Sequence, residues 1–153
     1  MGPRYNLGLR DSNAKDRRVF VSHSSSDTWV AKQIARGIKA SGAHPFLDDE
    51  AIQVGQDFEK EIRRYLKRAH EIVVLLTPWS LERPYVWAEL GAAWIRGIPI
   101  VVLLHGVSVR ELQSRPSAPV FIKEKNCREL NDAERDFSEL RVRVRKGTRK
   151  AMV

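Results

Sequence analysis

A chain of 153 residues, 42% hydrophobic and 30% charged, is long enough for one domain with a real core and too apolar to be disordered throughout. Its longest apolar run, Ile98 to Leu104, is far too short to span a bilayer, so no membrane partner is expected. The net charge of +8 is concentrated at the two ends. Residues 1–18 carry five basic and two acidic side chains, residues 110–153 carry twelve and seven, and residues 19–109 carry ten of each. Six of the basic residues lie in Arg141–Lys150, without any zinc-finger, RNA-recognition or helix-turn-helix signature. Such a run reads as a solvated tail, and nucleic acid is not an expected partner. The expected division is a basic flexible segment at 1–17, a domain at 18–146 and a basic tail at 147–153.

Residues 1–18 contain no apolar core of a signal peptide, and Asn6 stands where a myristoylation signal needs Ser or Thr. The single Cys127 forms no internal disulfide. A cytoplasmic location is the expectation.

In chain order, Arg18–His23 reads as a short buried strand, β-branched and aromatic, ending in SHSSSD. Ser26 or Asp27 can cap the next helix, whose stripe is Val30, Ile34 and Ile38 and whose stop is Gly42. His44–Leu47 is a second strand, which Pro45 confines to a strand start or a sheet edge. After the polar loop Asp48–Gly55, the residues Phe58, Ile62, Tyr65, Leu66 and Ala69 fall at helical spacing. Glu71–Thr77 is a third strand without alternation, so buried on both faces.

Pro84 suits the first turn of a helix that ends at Arg96-Gly97, with Trp87, Leu90, Gly91 and Trp94 as its apolar stripe. Glu89 lies beside that stripe, one turn after Tyr85, where a solvated flank position is the plain alternative to a functional acid. Ile98–Leu104 is a fourth buried strand, Val107–Leu112 a short helix and Val120–Ile122 a candidate fifth strand. Residues 131–146 fit a last helix through Phe137, Leu140 and Val144, or a strand through Leu140, Val142 and Val144. Strands alternating with helices predict an α/β fold: a doubly wound parallel sheet of about five strands, flavodoxin-like in order, with helices on both faces.

Ligands of such folds bind outside the carboxyl ends of the strands. That rim gathers His23–Asp27, Asp48–Gly55, Thr77–Pro84 and the start of the Glu89 helix. No glycine-rich dinucleotide fingerprint or P-loop is present, the four histidines are scattered without metal-ligand spacing, and Cys127 lies among charged residues. A phosphoacceptor receiver needs acids where this chain has SHSSSD and TPWS.

Taken together, VFVSHSSSD, FLDDEAIQVGQDFEKEI, IVVLLTPWSL and YVWAELGAAWIRGIPIVVLL, in this order and spacing, resemble a Toll/interleukin-1 receptor (TIR) domain of the prokaryotic style. The resemblance covers residues 18–104 clearly, and Asp48–Asp57 would be the family's BB loop. It implies either an enzyme that cleaves the nicotinamide–ribose bond of NAD+, giving ADP-ribose or a cyclic isomer, or a non-catalytic scaffold that mediates homotypic assembly.

Enzymatic members carry Trp-x-x-x-Glu; here the acid is Glu89, the implied catalytic residue, and the Trp position holds Tyr85, an aromatic that can stack on nicotinamide. Ser22, Ser24 and Ser25 at a helix start suit the pyrophosphate, and His23 either lines the same loop or is a satisfied strand-end histidine. Asp48, Asp49 and Glu50 suit turn formation and contact between protomers, and Asp49 is also carried as a substrate-side candidate. Trp79 is a neighbour of the substrate rings or core; Phe46 and Trp87 are read as core. NAD+ enters as substrate, so no cofactor and no metal are expected. The resemblance further implies activation by self-association, control by a separate sensor or effector, and a role in prokaryotic antiviral defence.

Overall fold

The computed structural model describes residues 16–47, 58–123 and 127–152. Its sheet consists of β1 (Arg18–Ser22), β2 (His44–Leu47), β3 (Glu71–Leu76), β4 (Ile100–Leu104) and β5 (Cys127–Glu129), in the order β2-β1-β3-β4-β5. Every pairing is parallel. This is the flavodoxin-like order expected from the alternation of elements. All six residues of β3 are buried, as its unbroken apolar run requires of a central strand.

Helices α1 (Thr28–Ala40), α2 (Phe58–Arg68), α3 (Pro84–Arg96), α4 (Val109–Ser114), α5 (Val120–Lys123) and α6 (Ala133–Met152) complete the order. Parallel neighbours force each connection across a face of the sheet, and the core divides accordingly. On one face Ile62, Leu66, Val86, Leu90, Leu112 and Ile122 pack against Phe20, Ile72, Val74, Leu76 and Leu104. On the other, Ile34 and Ile38 of α1 join Phe137 and Leu140 of α6 over Val19, Val21, Leu75 and Leu103.

Sequence rules account for the ends of the site-bearing elements. Pro84 occupies the first turn of α3, and Gly97 ends it at φ +68°, its N–H donating to the carbonyls of Ala93 and Trp94. The His44 N–H donates to the Arg17 carbonyl, so alternation turns Pro45, which has no N–H to offer, toward the open edge. Among the described residues no helix is long and apolar enough to cross a membrane.

Three details differ from the sequence reading, and one choice it left open is resolved. Val120–Ile122 is one helical turn rather than a strand: the Ile122 N–H donates to the Pro119 carbonyl and Ile122 alone is fully buried. The fifth strand is Cys127–Glu129, three residues whose partly exposed side chains carry no strand signal; register against Val102–Leu104 makes it a strand. Residues 133–152 are helical, resolving the open choice between helix and strand. The buried stripe of α3 is Val86, Glu89, Leu90 and Ala93, turned by about one residue from the stripe drawn through Trp87, Gly91 and Trp94. Trp87 packs half-buried on the core, whereas Trp94 faces outward and stacks on Phe121, centroids 4.9 Å apart and planes 4° apart.

Candidate active site

Three of the four converging rim segments are described; Asp48–Gly55, with the candidate Asp49, lies outside the described residues. At the end of β1, Ser22 and His23 are 0% and 1% exposed, so both are covered, and Ser24 is also buried. The Ser24 hydroxyl accepts from the Ser26 N–H and caps the 3₁₀ turn Ser25–Asp27, whose first residue is exposed. The His23 Nδ1 lies 3.3 Å from the Val21 carbonyl. That contact and its burial give His23 the character of a satisfied strand-end histidine.

Neither Ser26 nor Asp27 caps α1. Asp27 holds the N-cap position but makes no capping bond. Its Oδ2 instead accepts from the Thr77 hydroxyl at 2.6 Å, bridging the loops after β1 and β3. Thr77 closes a tight turn with Ser80: the Thr77 N–H donates to Ser80 Oγ at 2.7 Å, and the Ser80 N–H donates to Thr77 Oγ1 at 3.2 Å. All three residues are buried. The sequence reading missed this network; the only signals were the T-x-x-S spacing and an Asp one residue before a helix, which reads first as a cap.

From that turn the chain enters α3 and places Glu89 in its second turn. Glu89 is 2% exposed, so the solvated-flank reading is excluded. It lines a cleft of about 590 Å³ between α2 and α3, with Ile62, Leu66, Ala88 and Ala92 as apolar walls and Tyr85 along the same side. Tyr85 is 41% exposed. Arg63 and Lys67 bring positive charge to the α2 side. At the far end Arg96 donates to the carbonyls of Leu66 and Ala69, tying the end of α2 to α3. A carboxylate in an apolar, partly closed cleft interacts with nearby positive charge far more strongly than one in water.

The structure thus brings Tyr85 and Glu89 into one cleft. Ser22, at the end of β1, and His23, Ser24 and Ser25 of the β1–α1 connection do not line it. Trp79, 58% exposed on the β3–α3 loop, is surface rather than core. No group of three potential metal ligands occurs among the described residues.

Known proteins agree with this architecture. The TIR domain of the Toll-related receptor TRR-2 from Hydra magnipapillata is similar with a TM-score of 0.57 at 17% identity, over 88% of this chain and 98% of that one. The TIR domains of the activated Roq1 resistosome, which directly recognises the pathogen effector XopQ, give 0.56 at 19% identity over 85% and 82%. A protein of Methanobrevibacter olleyae named as a probable 2′ cyclic ADP-D-ribose synthase, TcpO, is 23% identical over 105 residues, 66% of this chain. The chain spans only 31% of that relative's length. Residues 19–141 match the TIR domain family, and the chain belongs to it.

Proposed function

We propose that this TIR domain breaks the N-glycosidic bond between nicotinamide and ribose in NAD+, with Glu89 as the catalytic carboxylate. The observation that carries the reading is a glutamate 2% exposed on the wall of the α2–α3 cleft, one turn from Tyr85, which lines the same cleft. The relative named as a cyclic ADP-ribose synthase supports the same chemistry.

The reaction asks little of the protein. The C1′–N1 bond breaks with its electron pair moving onto the pyridinium nitrogen, so nicotinamide departs neutral and needs no general acid. The ribose carbon becomes oxocarbenium-like, as in glycoside hydrolysis. Glu89 stabilises that charge or holds the ribose hydroxyls. One preorganised group of this kind contributes roughly 10²–10³ in rate. Water then bonds to C1′ and releases a proton, giving ADP-ribose; a nucleophile from the same molecule gives a cyclic isomer instead. Tyr85 supplies the ring against which nicotinamide stacks, and Ser24 and Ser25, at the start of a helical segment, are the proposed partners of the pyrophosphate.

Self-association is the proposed trigger. Trp29 on α1, Ile95 on α3 and Val120 on α5 are 72%, 81% and 70% exposed and offer apolar side chains to a second copy. We place the protein in the cytoplasm, under a separate sensor or effector, in prokaryotic antiviral defence. The same exposed side chains favour the second reading, a scaffold that only assembles.

Incubation with NAD+ over a range of protein concentrations separates the two. The enzyme releases nicotinamide at a rate rising more steeply than concentration, and Glu89→Ala abolishes release while assembly persists. A protein that assembles and leaves NAD+ intact is the scaffold.

A further inference from the structure

Asp27 occupies a helix N-cap position, where an aspartate side chain normally accepts from the first turn, and it makes no such bond. A buried acid that forgoes a stabilising cap has a competing task. Here that task is the 2.6 Å hydrogen bond from Thr77, fifty residues away on the adjacent strand's loop. With its hydroxyl proton committed to Asp27, Thr77 Oγ1 presents a lone pair to the Ser80 N–H. The Thr77 carbonyl accepts from the Leu81 N–H, the Ser80 carbonyl from the Arg83 N–H, and the Arg83 carbonyl from the Val86 N–H. An unbroken series of bonds therefore runs from Asp27 to the first turn of α3, which carries Tyr85 and, one turn later, Glu89.

We infer that Asp27 and Thr77 are positioning residues: their hydrogen bond fixes the loop after β3 against the loop after β1, and so sets where Tyr85 and Glu89 stand relative to Ser24 and Ser25. The inference rests on the NAD+-cleaving reading for its kinetic consequence, though not for its structural one. An acceptor at position 27 and a hydroxyl at position 77 are both required; the negative charge of Asp27 is not, because the accepting oxygen is what orients Thr77.

The test uses four variants of the full chain. Thr77→Val and Asp27→Ala break the bond from either side. Thr77→Ser keeps the hydroxyl and Asp27→Asn keeps an accepting oxygen. Nicotinamide release at saturating NAD+ gives kcat, and the dependence on NAD+ gives KM. Hydrogen exchange over residues 78–90, with α6 as internal reference, reports the loop without any assay of activity.

Displacement of a catalytic group by about 1 Å costs on the order of 10²-fold, so kcat of the two broken variants should fall about 10–100-fold. Exchange over 78–90 should rise while α6 stays protected, and Thr77→Ser and Asp27→Asn should stay close to wild type on both readouts. If Thr77→Val fails to fold, the Asp27→Ala and Asp27→Asn pair decides. The proposal is overturned if the folded broken variants keep wild-type kcat and exchange, or if Asp27→Asn is as impaired as Asp27→Ala. A wild type that leaves NAD+ intact at every concentration removes the enzymatic reading, and the exchange data alone then uphold or refute the link.

Discussion

The ring of Phe137 in α6 fills the space that a side chain on Gly37 of α1 would need. A Cβ built there would lie 2.3 Å from Cε2 and 2.4 Å from Cζ. Intrinsic propensity favours alanine over glycine inside a helix by about 0.5–1 kcal/mol. Overpacking of a closed core costs about 1–3 kcal/mol, and the obstacle is the ring of Phe137, packed in the core shared by α1 and α6. The collision therefore outweighs the propensity. Gly37→Ala should lower stability in urea unfolding, and adding Phe137→Leu should recover part of the loss, with a coupling above about 0.5 kcal/mol. Additive single effects would mean that the two helices do not meet there.

At the amino end of the sheet, Glu71 is wholly buried and is held by two arginines. Arg143 of α6 donates through Nε at 3.0 Å and Nη2 at 2.8 Å, and Arg17 donates through its own Nε. The arginines are 29% and 22% exposed and can regain water; the carboxylate cannot. Glu71→Ala strands both guanidinium groups in part and leaves a cavity, so about 3–5 kcal/mol should be lost. Arg143→Met leaves Arg17 in place and should cost less, about 1–3 kcal/mol. Thermal unfolding of the two variants checks that order.

His70 adds a pH dependence at the same end. The Arg18 N–H donates to its Nδ1 at 2.8 Å, which requires that nitrogen to be unprotonated. Burial, then the positive charges of Arg18 and Arg17, lower its pKa below 6.5, with Asp16 opposing and Arg96 adding a smaller push in the same direction. A histidine depressed in the folded state contributes stability that is present above its unfolded pKa and lost as pH falls through the folded one. Unfolding midpoints should thus decline from about pH 6.5 downward. His70→Asn, which keeps an accepting oxygen near the Nδ1 position, should flatten that part of the profile. An unchanged slope would assign the decline to other groups.

How much of this was legible in the residues varies with how strongly local chemistry constrains them. The two unalternating runs Glu71–Leu76 and Ile100–Leu104, rich in β-branched residues, read as strands covered on both faces, and they imply the parallel sheet. Pro84 and Gly97 bound α3 because their backbone limits act locally. Cys127–Glu129 escaped because its strand character comes from β4. Val120–Ile122 misled because three apolar residues fit a strand or a helical turn equally. On α3, the helical spacing of Trp87, Leu90, Gly91 and Trp94 put Trp94 on the apolar stripe, whereas Phe121 gives it a stacking partner at the surface. Glu89 was identifiable as a candidate, but its burial depends on α2, which no spacing within α3 encodes. Asp27 was read as a cap because its real partner lies fifty residues further along the chain.

The most direct test of the account is the initial rate of nicotinamide release from NAD+ by wild type and by Glu89→Gln, at matched high concentration and after matched thermal unfolding curves. Glutamine keeps the size of the side chain and removes its capacity for charge. The account predicts release by the wild type and a loss of roughly 10²–10³-fold in the variant. Equal rates in the two proteins would contradict it.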